Sequence, residues 1–223
     1  CELRYVRNPL NLGFARNVLQ CLEQSRGSFI KFLCDDDWLI GDCIEQQARV
    51  LADCPDVNMV INHRLICAAD ETLLPARLAN CVISPCSAVL NGGDFLEAIG
   101  EKATNLFGGI SHVLMRRTQV QEYLPPLVQG GEGFCARLDL ALYICLLRRG
   151  HLAYLTPMLS MERVHAGRLS HHASMTLAFD VETEWLLQML ATRTSEAAPA
   201  TGWIRYMPID SYSQAEDRVW EEF

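Results

Sequence analysis

The sequence predicts an α/β fold, because segments with the apolar pattern of strands alternate along the chain with segments that have the spacing of amphipathic helices. The 223 residues suffice for one sizeable core, and 50% of them are hydrophobic, as in ordinary globular proteins. A third observation concerns the site: the apolar segment 28–34 runs directly into Asp35, Asp36 and Asp37. In open α/β sheets, ligands bind at the carboxyl ends of strands.

The first part of the chain predicts strands and helices in alternation. Asn11 opens a helix whose apolar positions keep helical spacing, and Gly27 ends it. A second helix ends before Pro55, because the residue ahead of a proline avoids the helical conformation. The predicted segments are a strand at 3–6, a helix from 11 to 26, a strand at 28–34, a helix marked by Ile44, Ala48 and Leu51, and a strand at 57–61.

The second part of the chain continues this alternation after a less regular region. Asp94 can cap a short helix that extends to Ile99. A strongly apolar helix spans 139–149, with two arginines in its last turn and Gly150 beyond it. The other predictions are a strand at 108–117, a loop between Pro125-Pro126 and Gly130-Gly131, strands at 152–155 and 158–165, a helix at 174–193 with a stripe of Leu177, Val181, Trp185 and Met189, and a linker at 195–202.

Charge and cysteine content narrow the class of protein. The net charge of −8 argues against a nucleic-acid groove, but it permits phosphate binding through a metal ion. None of the ten cysteines forms a Cys-x-x-Cys pair, which argues against a zinc site and favours free thiols in a reducing, cytoplasmic compartment. A secreted, disulfide-bonded enzyme is the alternative. No apolar run approaches the roughly 18 residues that span a bilayer.

The three acids after the strand are the strongest functional signal. Residues two apart on an extended chain point the same way, so Asp35 and Asp37 are expected to converge while Asp36 turns aside. Like charges at close range repel unless a cation lies between them. The pattern therefore predicts a divalent-metal and phosphate site, and a solvated acidic turn is the alternative.

The chain carries motifs that occur together in a known family. They are Asn11-x-Gly13 with Ala15-Arg16-Asn17, the strand and acids of 27–37, the segment 109–117, Leu138-Asp139 at the head of a helix, and Arg163-Val-His165-x-Gly-x-x-Ser170. In type and order these motifs resemble those of the inverting, GT-A-fold glycosyltransferases of family 2. The likeness spans roughly residues 3–170 and implies a GT-A-like, Rossmann-like mixed sheet flanked by helices.

The resemblance assigns roles on the donor side of the reaction. It implies Mn²⁺ or Mg²⁺ bound by Asp37, with Asp35 on the nucleotide ribose or a metal-bound water, and Asp36 as a neighbour. Arg163 and His165 resemble the basic pair that closes over the diphosphate. A strand-end arginine paired with a surface acid is the alternative for Arg163. Arg16 and Asn17 would help to form the donor pocket, and a solvated helical charge is the alternative for Arg16.

The resemblance also implies one catalytic base, because inversion needs a group that takes the proton of the acceptor hydroxyl. The family uses an acid of a Glu-Asp pair at the head of a helix, which corresponds here to Asp139. Leu138 stands where the family has Glu, and Glu132 in the preceding loop is a substitute base. A simple helix cap is the alternative role for Asp139.

The family normally begins with two strands that hold the nucleotide, the second ending in Asp-Asp-Gly-Ser, and neither is visible here. The domains are therefore expected to be a partial, N-terminally truncated GT-A-like domain at 1–170 and a C-terminal helical extension and tail at 171–223. The natural protein is expected to be longer than this chain.

The predicted function is transfer of a sugar, with inversion, from a nucleotide-diphosphate donor to the hydroxyl of a glycan, lipid-linked or protein acceptor. A degenerate, non-catalytic domain that binds a partner or a glycan is the main alternative, and a metal-dependent phosphohydrolase is the second. The expected location is cytoplasmic, including the inner face of the membrane. The stripe of helix 174–193 is a candidate surface for a homodimer or a membrane-proximal partner.

Overall fold

The computed structural model describes residues 2–75, 81–100, 105–129, 133–168, 172–191, 204–214 and 220–222. Its helices are α1 (Gly13–Gln24), α2 (Cys43–Asp53), α3 (Gly92–Gly100), α4 (Arg117–Gln129), α5 (Leu138–Leu147), α6 (Ala173–Ala191) and α7 (Ile209–Gln214). Its strands are β1 (Phe29–Lys31), β2 (Trp38–Leu39), β3 (Val57–Ala68), β4 (Ala88–Leu90), β5 (Leu114–Arg116), β6 (His151–Val164), β7 (Arg205–Pro208) and β8 (Glu221–Glu222). The predicted α/β class is confirmed.

One mixed sheet contains all of these strands, in the order β1-β5-β3-β6-β4-β7-β8, with β2 paired to β6. The long strands β3 and β6 are parallel neighbours from Val57 and His151 to Ala68 and Val164. The β1–β5, β5–β3, β4–β6 and β2–β6 pairs are antiparallel. The short strand β2, which directly follows the acid triplet, is therefore held in the sheet by its pairing with the second half of β6.

The sheet separates two apolar cores, because successive residues of a strand point to opposite faces. In β4, Ala88 and Leu90 belong to one core and Val89 to the other. The larger core is formed with α1, α3, α4, α5 and α6, and the smaller one with α2 and α7. Helix α5 lies almost wholly inside the larger core, with eight of its ten residues buried. Because it is packed on nearly all sides, α5 is a rigid support for a functional side chain.

Gly150, predicted as the stop signal of α5, has no room for a side chain, because the chain there lies directly against the start of β3. A side chain there would collide with the Asn58 amide, which donates to the carbonyl of Leu146 at 2.8 Å. The carbonyl of Gly150 in turn lies where a Cβ of Gly92 would be. The end of α5 is thus packed directly against the starts of β3 and α3.

Several local predictions are wrong. Of the strand predicted at 108–117, only Leu114–Arg116 is a strand, because Ile110–His112 form a 3-10 turn and Arg117 begins α4. Asp94 lies inside α3, where it accepts from Arg205 and does not cap the helix.

Residues 3–6 are not a strand: they pair with no strand in the described part of the chain, and Leu3 and Tyr5 are 93% and 85% exposed. Apolar alternation alone does not make a strand where no neighbour supplies backbone partners. Pro125 and Pro126 lie inside α4 and not in a loop, because the burial of Val120 and Leu124 favours the helix over the hydrogen bonds lost at the prolines.

The C-terminal part of the chain contains the predicted long helix, α6, but its buried face differs from the predicted stripe. Leu177 and Val181 are 73% and 40% exposed, while Leu186 and, unexpectedly, Glu182 are buried. Strands β7 and β8 extend the same sheet beyond β4. The linker predicted at 195–202 lies outside the described residues, and the domain division at 170 stays a prediction. Among the helices that are described, none is long and apolar enough to cross a bilayer.

Candidate functional site

The acid triplet forms a tight turn and not the end of an extended strand. Strand β1 ends at Lys31, and the amide of Asp37 donates to the carbonyl of Cys34 at 3.3 Å. One ligand atom from each of Cys34, Asp36 and Asp37 can lie within 4.8 Å of the others. Asp35 is exposed at the tip of the turn and is not in this group. The expected alternation fails because the chain turns, so Asp36 and not Asp35 joins Asp37.

A buried serine supports the turn from the adjacent strand connection. Ser111, in the single 3-10 turn before β5, accepts a hydrogen bond from the Cys34 amide at 3.0 Å and is fully buried. Burial raises the pKa of Asp37, and hydrogen bonding to Ser111 partly offsets this. The charges of Asp36 and Glu162 raise the pKa of Asp37 further. A cation bound at this turn would relieve the same repulsion.

The end of β6 closes over the acid turn. The Arg163 amide donates to Asp37 Oδ1 at 3.3 Å, and the Arg163 side chain donates to the carbonyl of Asp36 at 3.2 Å. Its guanidinium lies 4.2 Å from the centre of the Trp38 ring. His165 Nε2 lies 3.1 Å from Asp36 Oδ2. The structure thus brings the predicted basic pair and two of the predicted acids together, although their sequence positions differ by more than 120 residues.

The donor set at this turn fits a divalent cation. Two carboxylates supply the hard oxygen atoms that Mg²⁺ and Mn²⁺ prefer, and the Cys34 thiol adds a softer atom. Burial raises the pKa of the Cys34 thiol, and so do the nearby charges of Asp35, Asp36 and Asp37. The thiol is therefore mostly protonated, and the two carboxylates are the residues able to hold the ion.

A buried polar network lies behind the turn and was not predicted. Glu162, beside Arg163, forms ion pairs with Arg64 at 3.2 Å and with Arg168 at 2.7 Å. His112 is fully buried beside them, and burial holds its pKa well below the usual value, so the ring is neutral. Its Nδ1 lies 2.8 Å from Ser160 Oγ. These contacts fix the second half of β6, from which Arg163 and His165 project.

Asp139 lies at the start of α5 in a largely buried position. Its Oδ1 accepts from the Leu140 amide at 2.8 Å, and its Oδ2 accepts from Asn105 at 3.2 Å. Burial raises the pKa of Asp139 to about 6, and the Leu140 amide, the Arg137 cation and the Asn105 amide oppose the rise. A carboxyl with that pKa is ionised near neutrality and can still accept a proton, as a general base must.

The acid turn and Asp139 are connected through a short series of contacts. Asn105, which holds Asp139, also donates to the carbonyl of Gly108 at 3.2 Å. Gly108 has a positive φ of 89°, and a side chain there would meet the Arg64 guanidinium at 2.8 Å. Arg64 is the partner of Glu162 beneath the turn. The buried Tyr143 hydroxyl lies within electrostatic range of Asp139, Arg64 and Cys34, so the start of α5 and the acid turn approach the same buried side chain.

The remaining predicted residues are not joined to this site. Arg16 and Asn17 lie on the exposed face of α1, and Asn17 pairs with Asn8 at 3.1 Å. Within the described part of the chain, Arg16 makes no hydrogen bond or ion pair with the acid turn. Glu132 and Ser170 lie outside the described residues.

Several site residues were missed because they are single polar residues inside apolar segments. They are Arg64, Asn105, Ser111, His112, Glu162 and Glu182. Arg64, Ser111, His112 and Glu182 are buried and Asn105 and Glu162 are half-buried, and most of them contact residues that are distant in sequence. The one signal in the sequence was the polar Ser-His pair inside the apolar segment 109–117.

Comparison with solved structures finds a similar fold in S. aureus TarS. The crystal structure of residues 1–349 of S. aureus TarS in complex with UDP-GlcNAc matches with a TM-score of 0.50 and 10% identity. The match covers 85% of this chain and 55% of the TarS chain, so the chain spans about half the length of that structure. A second crystal structure of TarS 1–349 matches with a TM-score of 0.49 and 8% identity, over 86% of this chain and 54% of the other.

No curated protein sequence matches this chain. The sequence model of glycosyl transferase family 2 matches residues 1–122, which is more than half of the 223 residues and includes the acid turn. Both the mixed sheet and this match agree with the resemblance found in the motifs. The chain belongs to glycosyl transferase family 2 and has a GT-A-like fold.

Proposed function

We propose that this chain transfers a sugar from a nucleotide-diphosphate donor to an acceptor hydroxyl, with inversion at the anomeric carbon and with the help of a divalent metal. The observation that carries the proposal is the placement of Asp139, whose pKa is raised to about 6 by burial, at the start of α5, where Asn105, Gly108 and Arg64 link it to the acid turn. A general base near neutrality beside a cation and phosphate site is the pair of functions that inverting transfer needs. Family membership supports this reaction class.

The donor side is proposed to be the acid turn and the end of β6. Asp37 and Asp36 would hold Mn²⁺ or Mg²⁺, and Asp35 at the exposed tip would contact the donor ribose or a water on the metal. The bound ion would offset the negative charge that grows on the leaving diphosphate. Arg163 and His165 lie beside this position, where a guanidinium fork and an imidazole can donate to phosphate oxygens. Arg16 and Asn17 are proposed to contact the donor from α1.

The acceptor side is proposed to be the start of α5. The Asp139 carboxylate takes the proton of the acceptor hydroxyl, and the oxygen forms its new bond to the anomeric carbon. The bond from that carbon to the diphosphate oxygen breaks, and its electron pair leaves with the nucleoside diphosphate. Asn105 and the Leu140 amide hold the two carboxylate oxygens during the proton transfer. Glu132 stays the alternative base.

UDP-sugars are the first donors to test, because the TarS structure that matches this fold was solved with UDP-GlcNAc. The acceptor class (glycan, lipid-linked or protein) stays a prediction, as do the cytoplasmic location, peripheral membrane association and homodimer formation. Exposed apolar side chains of α6, including Leu177 and Phe179, are the candidate surface for the last two.

The second candidate function is a non-catalytic domain that binds a partner or a glycan. Leu138 at the position of the family glutamate favours it. The intact acid turn and the raised pKa of Asp139 favour the enzyme. A phosphohydrolase is the less favoured alternative, because the described residues contain a single group of three metal-ligating side chains, and two-metal hydrolases need more.

Calorimetric titration of the chain with UDP, with and without Mn²⁺, tests the donor site. We expect binding that depends on Mn²⁺ and that is lost in Asp37→Ala, with the fold kept because removing one carboxylate relieves repulsion. Asp180→Ala, which removes an exposed aspartate of α6, is the matched control and should bind like the parent. Unchanged binding in Asp37→Ala would overturn the metal assignment. Incubation with UDP-GlcNAc then separates transfer, which releases UDP, from hydrolysis of the pyrophosphate bond, which releases UMP and N-acetylglucosamine 1-phosphate.

A further inference from the structure

Glu182 is a buried carboxylate in the middle of α6, only 2% exposed. Its Oε1 accepts from the amides of Cys135 and Ala136 at 2.9 and 3.1 Å, and its Oε2 accepts from the amides of Ala136 and Arg137 at 3.0 and 2.7 Å. Three consecutive backbone donors therefore converge on one side chain that lies 45 or more residues further along the chain.

These three amides are the ones that lead into α5, which begins at Leu138. The first amides of a helix have no partner within the helix and carry partial positive charge. Arg137, at the cap position of α5, makes no side-chain capping bond to the helix. The carboxylate of Glu182 therefore holds the segment 135–137 directly before the first turn of α5 and places a negative charge beside that turn, from another helix.

The side chain of Arg137 joins Glu182 to Asp139. Its guanidinium donates to the hydroxyl of Thr183 and lies 4.3 Å from the centre of the Phe179 ring, both on α6. The charges of Glu182 and Asp139 both act on Arg137. Arg137 therefore interacts with both carboxylates, and the negative charge of Glu182 offsets part of the positive potential of that cation at Asp139.

Helix α6 also holds the other end of α5 and the loop before it. Arg148, directly after α5, donates to the carbonyl of Met189, and the Trp185 ring packs edge-on against Phe134 at 5.5 Å between centres. Because both ends of α5 are fixed to α6, the position of Asp139 depends on this later helix. The family match at 1–122 does not include either element.

We propose that Glu182 is a positioning residue for Asp139: it fixes the start of α5 through the three amides and limits the pull of the Arg137 cation on the Asp139 carboxylate. The inference rests on the proposed function only in taking Asp139 as the base. Its structural consequence is independent, because the charge of Glu182 should alter the titration of Asp139 whether or not Asp139 is catalytic. Among the described residues, the charged group that acts directly on Asp139 is Arg137; Glu182 on α6 acts on Arg137, and Arg64 on β3 acts on Tyr143, one turn along α5.

The test is a ¹³C NMR titration of the aspartate carboxyl carbons in the parent, Glu182→Gln and Glu184→Gln, with Asp139→Asn to assign the signal. Glu184 lies two residues away on the same helix and is exposed, so it is the matched control. Removing the negative charge of Glu182 leaves the attraction of Arg137 unopposed. We therefore expect the Asp139 midpoint in Glu182→Gln to fall by about half a pH unit or more, and to stay at the parent value in Glu184→Gln.

An unchanged Asp139 midpoint in a folded Glu182→Gln protein would overturn the inference. If that variant does not fold, Glu182→Asp keeps the charge but is one methylene shorter. It should keep the midpoint while losing at least about tenfold in the rate of UDP release from UDP-GlcNAc, because its carboxylate no longer reaches all three amides. A parent-like rate for Glu182→Asp would also contradict the proposal. If Asp139→Asn retains the parent rate while the midpoint still falls in Glu182→Gln, the proposed base fails and the positioning contact stands.

Discussion

The acid turn and the start of α5 are two parts of one candidate site that are built in different ways. The turn is contiguous: Cys34, Asp36 and Asp37 lie within four residues, so the sequence displays the cluster directly. Asp139 is a single acid in an apolar helix, and its environment comes from Asn105, Arg137 and, through Arg137, Glu182. The difference shows that a metal-type cluster can be seen in sequence, whereas the setting of a single base becomes visible only in the fold.

The two regions also differ in their electrostatics. At the turn, the neighbouring acids Asp36 and Glu162 add to burial in raising the pKa of Asp37, so negative charges repel one another there. At Asp139, burial raises the pKa to about 6, and the Leu140 amide, the Arg137 cation and the Asn105 amide oppose the rise. The first arrangement suits binding of a cation, and the second suits the reversible binding of a proton.

The largest predicted effect that separates the two regions is the loss of UDP affinity when single acids of the turn are replaced by alanine. We expect Asp36→Ala to weaken Mn²⁺-dependent UDP binding by at least about tenfold, because even groups that only support metal ligands account for losses of about 10- to 100-fold. Asp35→Ala should change this affinity by less, since the Asp35 side chain is exposed and outside the cluster. Calorimetric titration measures both. A larger loss in Asp35→Ala would favour the ligand pair predicted from the sequence, Asp35 and Asp37.

The second effect is the pH dependence that Asp139 confers on stability. Its pKa is raised from 3.8 to about 6 by folding, so the protonated carboxyl favours the folded state. This contribution is present below about pH 4 and is lost as the pH rises through 6. We expect the unfolding free energy of the parent, relative to Asp139→Asn, to decrease between pH 4 and 6 in urea titrations. A difference that does not vary with pH would show that Asp139 titrates normally.

The smallest effect concerns the Tyr143 hydroxyl, which lies between the two regions. It is buried and, among the atoms described, has no hydrogen-bond partner. Removing an unsatisfied buried hydroxyl is nearly neutral or stabilising, so Tyr143→Phe should keep or raise the unfolding free energy, by up to about 1 kcal/mol. Thermal unfolding measures this change. A loss of more than about 1 kcal/mol would mean that the hydroxyl has a partner in solution.

Elements with a clear period were predictable, and buried polar residues were not. Helix α2 was predicted from Ile44, Ala48 and Leu51, yet Ile44 is 53% exposed and Gln47 is fully buried. The reason is that Gln47 donates to Asn62 and to the carbonyl of His112 and accepts from Lys31. A pattern of apolar residues cannot reveal such contacts, because they join elements that are distant in sequence.

In the candidate site, residues that belong to a motif were predictable, and residues whose role depends on the fold were not. The motif order placed Arg163 and His165 with the acids, and the structure brings them together. The choice of Asp35 over Asp36 rested on an extended chain, and the turn after Cys34 removes that basis. Glu182 was invisible, because a glutamate inside a predicted amphipathic helix is expected to face solvent.

The most direct test of the account is to measure UDP binding and UDP release from UDP-GlcNAc in Asp139→Asn beside the parent. Binding should be unchanged, because in the described part of the chain the Asp139 carboxylate accepts from Asn105 and the Leu140 amide and contacts none of the acids of the turn. Release should fall about 10²- to 10⁴-fold, the usual contribution of a general base. A variant that binds UDP and releases it at nearly the parent rate would contradict the assignment of Asp139 as the base.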